Sequence, residues 1–428
     1  MPRRILVVSR HFWPEYTRLN ELCSKLAAFG FKIDVLCGQP SRDSGEFYEG
    51  YNSFKVWREV HDKLNVYRTV DVKKGTDSNI SIFLNYITFP LMSFFVTRKL
   101  QEHHYDAVFV YQLSPVMTCA PGMRIAKKQK IPVYVYVAEL WPQRVYSQLD
   151  VQSTLFRKFL MSLSMHYYRK ASRLIVPTQA MKKYFADRLG SLDEELALVP
   201  LTPDPWYEED VVDESLMEKL AGSFHLLITG DPEGELSVKT VIKIAHMIRE
   251  GKARNIRFVV TGTEHRIKDL QQKVQQEGLS DYFYFEGKVG SEDLGRYLHI
   301  ADIMLYIVKP EKENEYAIPV QVVNMIAAGK PVVASLSGYV RDAIREAGCG
   351  MTTEPEDSTG LYQAIMTIYQ MSPEERKEMG KKARKCQEQF FNREEHAESI
   401  AWILAGENVP GIRTGNEDEP GTSSIRKL

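Results

Sequence analysis

The sequence predicts an α/β protein made of two doubly wound domains that face each other across a cleft. Three observations support this prediction. A chain of 428 residues is too long for one ordinary hydrophobic core. Short apolar runs typical of buried parallel strands alternate with segments of helical spacing, and this alternation occurs twice along the chain. The stretch Thr202-Pro203-Asp204-Pro205 lies between the two sets and has the composition of a linker.

Composition is that of a soluble globular protein, with 44% hydrophobic and 26% charged residues. We expect the first domain over residues 1–200 and the second over 201–390. A tail over 410–428 is rich in Gly, Asp, Glu, Ser and Thr, which predicts disorder. The five cysteines are odd in number and contain no CxxC pair. They favour a reduced compartment and argue against disulfides and a zinc site, so we expect no metal.

The apolar runs define the expected strands. Residues 5–8, a helix over 18–29 and residues 31–36 form a β-α-β start. Further strands are predicted at 107–111, 132–137 and 173–176 in the first domain, and at 225–229, 256–262, 282–285, 303–307 and 331–334 in the second. We expect the strand at 173–176 to close the first sheet. The polar residues 39–78 are expected to form a long surface excursion.

Residues 318–334 have the features of an anion-binding site. Pro319 suits the first turn of a helix, where a missing N–H has no cost. Gly329 suits a left-handed end of that helix, and Pro331 prevents the helix from continuing. A helix N-terminus at the ligand-binding edge of a sheet offers free N–H groups and a positive dipole. We therefore expect this stretch to bind an anion such as a diphosphate.

Charge is distributed unevenly along the chain. Residues 1–200 contain 28 Lys and Arg against 18 Asp and Glu, which leaves 27 and 38 of the totals of 55 and 56 for residues 201–428. The basic half suits an anionic surface, and the lack of a DNA- or RNA-binding motif argues against nucleic acid. The apolar residues 80–97 fit either an interfacial helix at an anionic membrane or a long helix packed inside the domain. Asn85 and Pro90 make them a poor transmembrane span.

Candidate functional side chains follow the predicted strands of the first domain, because parallel α/β sheets bind ligands at the carboxyl ends of their strands. His11 suits proton transfer or an ordinary hydrogen-bonded loop position. Glu139 suits a general base, a ligand of a sugar hydroxyl or a cap of the following turn. The other candidates at this edge are Glu15, Arg18, Gln112, Trp141 and Arg144. The two arginines fit phosphate contacts and surface salt bridges equally well.

Several motifs together point to one family. They are Phe12-Trp13-Pro14-Glu15-Tyr16-Thr17-Arg18-Leu19-Asn20-Glu21-Leu22, Phe109-Val110-Tyr111-Gln112-Leu113-Ser114-Pro115, Glu139-Leu140-Trp141-Pro142-Gln143, Gly348-Cys349-Gly350 and the helix after Ser372-Pro373-Glu374-Glu375. These motifs resemble family 4 glycosyltransferases. Within that family they resemble the bacterial fucosyl- and N-acetylfucosaminyl-transferases of surface polysaccharide biosynthesis. The resemblance extends over nearly the whole chain, to about residue 405.

The resemblance implies the GT-B fold, in which two Rossmann-like domains face each other across a cleft. It implies that residues 1–200 bind the acceptor, that residues 201–390 bind the nucleotide-sugar, and that a helix over 391–409 crosses back to the first domain. The implied reaction is a metal-independent sugar transfer, usually retaining, without a cofactor. The implied acceptor is a polyprenyl-diphosphate-linked glycan at the inner, cytoplasmic face of the cell membrane.

The resemblance also implies the donor-site residues, which are Gly230, Asp231, Glu315, Pro319, Val320, Gln321 and Asn324. The subgroup usually carries a Ser-Lys pair where this chain has Val320-Gln321, a polar residue at Leu236 and an asparagine at Leu201. A catalytically degenerate GT-B subunit that binds a partner or a glycan without turnover is therefore the alternative. A sugar-nucleotide epimerase shares the architecture, but the sequence lacks the expected set of carboxylates and histidines.

Overall fold

In a computed structural model the chain divides into two compact units. Unit 1 contains residues from Met1–Pro200 together with the last helix, and unit 2 is Leu201–Asn392. The structure describes residues 3–15, 17–42, 46–53, 58–71, 79–148, 151–190, 195–208, 211–229, 236–262, 264–287, 289–290, 293–309, 316 and 319–406. Within these ranges the side chains of 79–85, 144, 147–148 and 264–266 are not described. The predicted disordered tail over 410–428 lies outside the described residues.

Unit 1 is built on a sheet whose described strands run in the order β3-β4-β2-β1-β5-β6-β7-β8. The strands are β1 Arg4–Val8, β2 Lys32–Cys37, β3 Arg58–His61, β4 Leu64–Arg68, β5 Ala107–Gln112, β6 Val133–Val137, β7 Arg173–Val176 and β8 Leu196–Leu198. Neighbours pair in parallel except in the β3-β4 hairpin. Every residue of β5 and β6 is buried, as expected for central strands covered on both faces.

Helices flank this sheet. They are α1 Arg18–Ala28, α2 Asn79–Leu100, α3 Cys119–Gln129, α4 Gln143–Gln148, α5 Thr154–Tyr168, α6 Gln179–Leu189 and, after unit 2, α15 Arg393–Leu404. Helix α15 packs against α1, where Lys25 pairs with Glu394. At the other end of α15, Nη1 of Arg3 donates to the Leu404 carbonyl at 3.2 Å.

The sheet of unit 1 is larger than the sequence predicts. Two strands, β3 and β4, form within residues 39–78, so the predicted surface excursion is wrong for that part. Burial alternates along β4, with Leu64, Val66 and Arg68 buried, which is the period-2 pattern of a strand. The strand at 173–176 does not close the sheet, because β8 pairs with it in parallel.

Unit 2 is built on a second parallel sheet with described strands in the order β11-β10-β9-β12-β13-β14. They are β9 Phe224–Ile228, β10 Ile256–Thr261, β11 Phe283–Glu286, β12 Ile303–Ile307, β13 Val332–Ser335 and β14 Gly350–Thr353. The helices are α7 Glu214–Lys219, α8 Val238–Glu250, α9 Glu264–Gln276, α10 Leu294–Ile300, α11 Val320–Ala327, α12 Tyr339–Ala347, α13 Ser358–Gln370 and α14 Pro373–Phe390. Five of the strands lie where the sequence predicts them, whereas the half-buried edge strand β14 was not predicted.

The local structure around α11 follows the sequence. Pro319 lies at the N-cap, one position before the predicted first turn, and Gly329 has φ +69° just after the helix. A side chain at Gly329 is excluded twice, by the left-handed backbone and by Arg384 Nε, which lies 2.5 Å from the position of an added Cβ. This close approach allows α14 to pack against α11.

The apolar residues 80–97 form part of α2, with Pro90 inside the helix. Phe89, Val96 and Leu100 are buried, whereas Leu91 and Phe95 are 58% and 63% exposed. One face of the helix therefore packs in the domain, as one of the two expectations had it, and another face meets solvent. Over the described part of the chain, no helix is long and apolar enough to cross a membrane.

Candidate functional sites

The strand order of unit 1 reverses between β1 and β5, and the carboxyl ends of these strands are the expected ligand site of such a sheet. Three loops leave this edge, after β1, β5 and β6. Each of them contains a cis peptide bond before proline, at Trp13–Pro14, Ser114–Pro115 and Trp141–Pro142. The predicted acceptor-site residues of unit 1 lie on these loops, at the end of β5, at the start of α1 and in α4.

The loop after β1 orients a histidine. Nδ1 of His11 lies 2.6 Å from Oε2 of Glu15, and because a carboxylate only accepts, this nitrogen donates. The other oxygen of Glu15 accepts from the Ser41 backbone N–H at 2.6 Å. The Asn20 side chain donates to the Glu15 carbonyl at 2.8 Å. The bond to Glu15 sets the tautomer of His11, so that Nε2 is the nitrogen with the free lone pair.

Buried ion pairs, which the sequence did not predict, hold this loop. Arg10 and Asp71 pair at 3.2 Å with both side chains 5% exposed. Gly38 makes room for that pair, since an added Cβ would lie 2.5 Å from Asp71 Oδ2. Nη2 of Arg68 donates to the Trp13 carbonyl and to the Glu59 carboxylate. The guanidinium groups of Arg10 and Arg68 therefore hold the loop that contains His11 in position.

Glu139 follows β6 and is half-buried. Its Oε2 accepts from the Ser114 backbone N–H at 3.0 Å, which ties the loop after β6 to the loop after β5. This bond runs to a neighbouring loop and not to the turn that follows Glu139, so it differs from the expected cap of that turn. The described residues record no hydrogen bond for Oε1, and this oxygen is left for a ligand.

Gln112 and Trp141 are too deeply buried to contact an acceptor directly. Gln112 has no exposed surface, accepts from the Tyr168 hydroxyl at 3.0 Å and donates to the Leu113 carbonyl at 2.8 Å. Trp141 is 1% exposed and supports the loop from beneath. Its Nε1 and the Ser114 hydroxyl are buried polar atoms without a hydrogen-bond partner among the described residues. Such atoms are rare in folded proteins and cluster at sites of function.

The two predicted arginines differ in what the structure records. Arg18 begins α1, is half-buried and lies near Tyr136 and His396, whose pKa values respond to its charge. His396 of α15 donates from Nδ1 to the Pro200 carbonyl at 2.8 Å. Burial lowers the pKa of this imidazole to about 4. The side chain of Arg144 lies outside the described residues, so its role stays a prediction.

In unit 2 the strand order reverses between β9 and β12, so their carboxyl ends are the expected ligand site. Thr229 follows β9, and its hydroxyl accepts from Thr261 at 3.0 Å. The Val308 N–H, after β12, donates to the Ser335 hydroxyl at 3.2 Å. The hydroxyl groups of Thr229, Thr261 and Ser335 therefore lie at this edge, and the exposed Lys309 directly follows Val308 there.

Helix α11 begins at this edge. Nε2 of Gln321 donates to the Thr229 carbonyl at 2.6 Å and to the Tyr207 hydroxyl at 2.9 Å. These bonds place the first turn of α11 beside the end of β9. The first N–H groups of an α-helix have no partner within the helix, and together with the dipole they favour an anion. Val320 contributes no polar group beyond its backbone.

Asn324 holds the segment that enters unit 2. Its Oδ1 accepts from the Asp204 backbone N–H and its Nδ2 donates to the Asp204 carboxylate, both at 2.8 Å. Asn324 is 2% exposed and both ends of its amide are used. It therefore positions the entering chain and α11, and the predicted direct contact with the donor is not available to this side chain.

The remaining predicted donor-site residues, Gly230, Asp231 and Glu315, lie outside the described residues. Over the described part of the chain, no group of three His, Cys, Asp or Glu side chains is arranged to hold a metal ion. Asp204 and Tyr207 were not predicted as site residues: Asp204 lies in the predicted linker, and Tyr207 follows it two residues later. Polar side chains beside prolines in a short segment were the available signal, and they mark a turn bonded to unit 2.

Comparison with known proteins agrees with this architecture. A model of Glycosyltransferase Family 4 matches residues 17–204, and a model of Glycosyl transferases group 1 matches residues 222–386. Sucrose-phosphate synthase from Thermosynechococcus elongatus superposes with a TM-score of 0.70 at 16% identity, over 94% of this chain and 98% of that chain. Anabaena HepE, in complex with UDP and glucose, superposes with a TM-score of 0.66 at 14% identity, over 95% of this chain and 100% of that chain. WaaG, a glycosyltransferase involved in lipopolysaccharide biosynthesis, superposes with a TM-score of 0.63 at 17% identity, over 94% of this chain and 100% of that chain.

No curated protein sequence matches the chain. The two family models nevertheless follow each other along most of its length, one in each unit. The chain belongs to family 4 of the glycosyltransferases and has the GT-B fold. It is a glycosyltransferase by this family membership.

Proposed function

We propose that unit 2 binds the nucleotide-sugar at the N-terminus of α11 and that unit 1 binds the acceptor at the loops after β1, β5 and β6. The observation that carries the proposal is the bond from Gln321 to the Thr229 carbonyl, 2.6 Å long, which seats the first turn of α11 at the strand-order reversal of unit 2. Negative charge grows on the diphosphate as the sugar leaves. A helix N-terminus with preorganised N–H groups stabilises that charge.

On the acceptor side, the His11–Glu15 pair contacts the attacking hydroxyl. Glu15 holds the imidazole through Nδ1, which presents the lone pair of Nε2 to a hydroxyl hydrogen. The second oxygen of Glu139 accepts from another sugar hydroxyl.

The acceptor is a polyprenyl-diphosphate-linked glycan in surface polysaccharide assembly, and the protein works peripherally at the cytoplasmic face of the cell membrane. The involvement of the structurally similar WaaG in lipopolysaccharide biosynthesis supports this pathway. The motifs of the first loop and helix support a fucose-type sugar. HepE, solved with UDP and glucose, makes UDP the first nucleotide to test.

Thermal-shift measurements with UDP, GDP, dTDP and ADP test the donor site first. A nucleotide at about 100 times its dissociation constant stabilises the protein by about 2.7 kcal/mol, which is a readily measured shift. We expect one nucleotide to give this shift, and the corresponding sugars are then screened for transfer to a lipid-linked glycan. No shift with any nucleotide would contradict the proposed donor site.

One observation favours a second candidate, a GT-B subunit that binds donor or glycan without turnover. The Gln321 amide is bonded within unit 2, and Val320 adds no hydroxyl or cation to stabilise a leaving diphosphate. The two candidates differ in transfer activity. A nucleotide that binds while every matching donor sugar stays untransferred would favour the binding subunit.

A further inference from the structure

Three helices of unit 1 share an unusual charge pattern. Over their lengths, α2, α3 and α5 contain no Asp or Glu. They contain basic residues instead, which are Arg98, Lys99, Arg124, Lys127, Lys128, Arg157 and Lys158. Helices α2, α3 and α5 all pack against the single helical turn Val116–Thr118, so they are neighbours in the fold. Within these three helices the positive charge is therefore not compensated by carboxylates, and the exposed Glu102 follows two residues after α2.

The first turns of α5 stand out from the body of unit 1. Every residue from 152 to 159 is exposed, and the contacts recorded for this segment include those of Arg157 with Tyr146 and Val151. Three of the exposed side chains are large and apolar: Leu155 at 80%, Phe159 at 59% and Phe156 at 41%. The two phenyl rings stack with centroids 6.3 Å apart. Exposed apolar side chains grouped in this way mark an interaction surface.

Helix α2 adds two exposed apolar residues, Leu91 at 58% and Phe95 at 63%. Cations lie beside them. The Arg124 guanidinium lies 4.3 Å from the centroid of the Phe94 ring and the Arg98 guanidinium lies 5.1 Å from it. Arginines that rest on an aromatic ring keep their charge next to apolar surface. We call Leu91, Phe95, Leu155, Phe156 and Phe159 with the neighbouring cations the α2/α5 surface.

We infer that the α2/α5 surface docks on a bilayer with anionic headgroups. Its apolar side chains enter the boundary between headgroups and acyl chains, and the surrounding Lys and Arg contact the lipid phosphates. Charge complementarity selects this occupant, because three adjacent helices without a carboxylate match a uniformly negative surface. The inference rests on the proposed function in one respect, that the acceptor is carried by a membrane lipid.

Sedimentation with vesicles tests the surface directly. The full chain is mixed with vesicles of phosphatidylcholine alone or of phosphatidylcholine with phosphatidylglycerol. We expect binding to the anionic vesicles, weakened by salt, and a loss of at least about tenfold in affinity for the triple variant L155S/F156S/F159S. The matched control is V211S/V212S/M217S in unit 2, which alters side chains that are 43%, 63% and 43% exposed. The control is expected to bind like the wild type.

Several results would overturn the inference. They are wild-type protein that stays in the supernatant, equal affinity for both vesicle types, and a triple variant that sediments like the wild type. Light scattering after gel filtration covers the alternative occupant, since a dimer that the triple variant dissociates would assign this surface to a second copy of the chain. The altered residues are exposed, so we expect an unchanged unfolding temperature.

Nucleotide binding separates this inference from the proposed function. The α2/α5 surface lies on helices of unit 1, so we expect the triple variant to keep the nucleotide-induced thermal shift of the wild type. Vesicle binding without any nucleotide shift would leave the surface in place and overturn the donor site. A nucleotide-induced thermal shift without vesicle binding would support the donor site and overturn the membrane-docking role of the α2/α5 surface.

Discussion

The two sheets carry different chemistry at their carboxyl edges. In unit 1 the described groups are ionisable and paired, as in His11 with Glu15 at 2.6 Å and Arg10 with Asp71 at 3.2 Å. Around the first turn of α11 in unit 2 the recorded partners are neutral, namely the Gln321 amide, the Thr229 carbonyl and the Tyr207 hydroxyl. The first edge suits proton handling, and the second suits an anion held by backbone N–H groups.

The largest expected effect is at His11. We expect H11A to lower kcat/KM for sugar transfer by about 10²–10³-fold, because the nitrogen that meets the acceptor hydroxyl is removed. The nucleotide-induced thermal shift should not change, since that shift reports on unit 2. The companion variant is E15Q, whose single amide oxygen can accept from Nδ1 while the Ser41 N–H loses its acceptor, so we expect a smaller loss of activity than in H11A. If H11A had the same kcat/KM as the wild type, this result would contradict the proton-handling role of His11.

A second prediction concerns the pH dependence of unit 1. Burial lowers the pKa of His396 to about 4, below the ordinary value of 6.5. Between these values the unfolded chain binds a proton that the folded chain does not, so acidification favours unfolding. We expect the free energy of unfolding to be unaffected by this group above about pH 6.5 and to fall by about 3 kcal/mol by pH 4. Urea unfolding across this range measures it.

The variant H396N isolates the contribution of this histidine. An asparagine amide replaces the Nδ1 donor to the Pro200 carbonyl and does not titrate. We expect the fall in stability between pH 6.5 and 4 to become smaller in H396N than in the wild type. Identical pH profiles for the two proteins would assign the acid sensitivity to other groups.

A third prediction concerns the two hydrogen bonds between Asn324 and Asp204 in unit 2. We expect N324L to lower the free energy of unfolding by about 2 kcal/mol, because Asp204 loses two hydrogen bonds in a partly buried position. Urea unfolding measures the loss. A double-mutant cycle with N324A and D204A should show coupling between the two residues. Additive effects would show that the pair does not hold the entering segment.

Sequence patterns predicted the fold further than the site, for physical reasons. The strand at 303–307 and the helix stop at Gly329 follow from local rules, because burial on both faces and a left-handed backbone restrict the residue types. The strands β3 and β4 were missed because their outer positions are polar, and only alternation along 64–68 identifies β4. A hairpin at the sheet edge has too few apolar residues for a periodicity argument.

The candidate site depends on pairings across long sequence distances. Glu139 accepts from Ser114, Gln321 donates to Thr229, and Asn324 bonds Asp204, 120 residues away. Nothing in a single sequence states which polar groups satisfy each other after folding. The sequence could therefore place His11 and Glu139 at a strand end, but it could not separate exposed groups from buried ones such as Gln112.

The smallest expected effect concerns the missing cation at the first turn of α11, where this chain has Gln321. We expect Q321K, combined with V320S, to raise the affinity for the preferred nucleoside diphosphate by about tenfold, because an ammonium and a hydroxyl are added beside the first turn of α11. The lysine can still donate to the Thr229 carbonyl, which the glutamine reaches at 2.6 Å. Calorimetric titration measures the affinity, and Q321M is the control that removes the donor without adding charge. An affinity that stays equal in all three proteins would place the diphosphate away from this turn, and the contrast between the two edges would then concern folding rather than ligand binding.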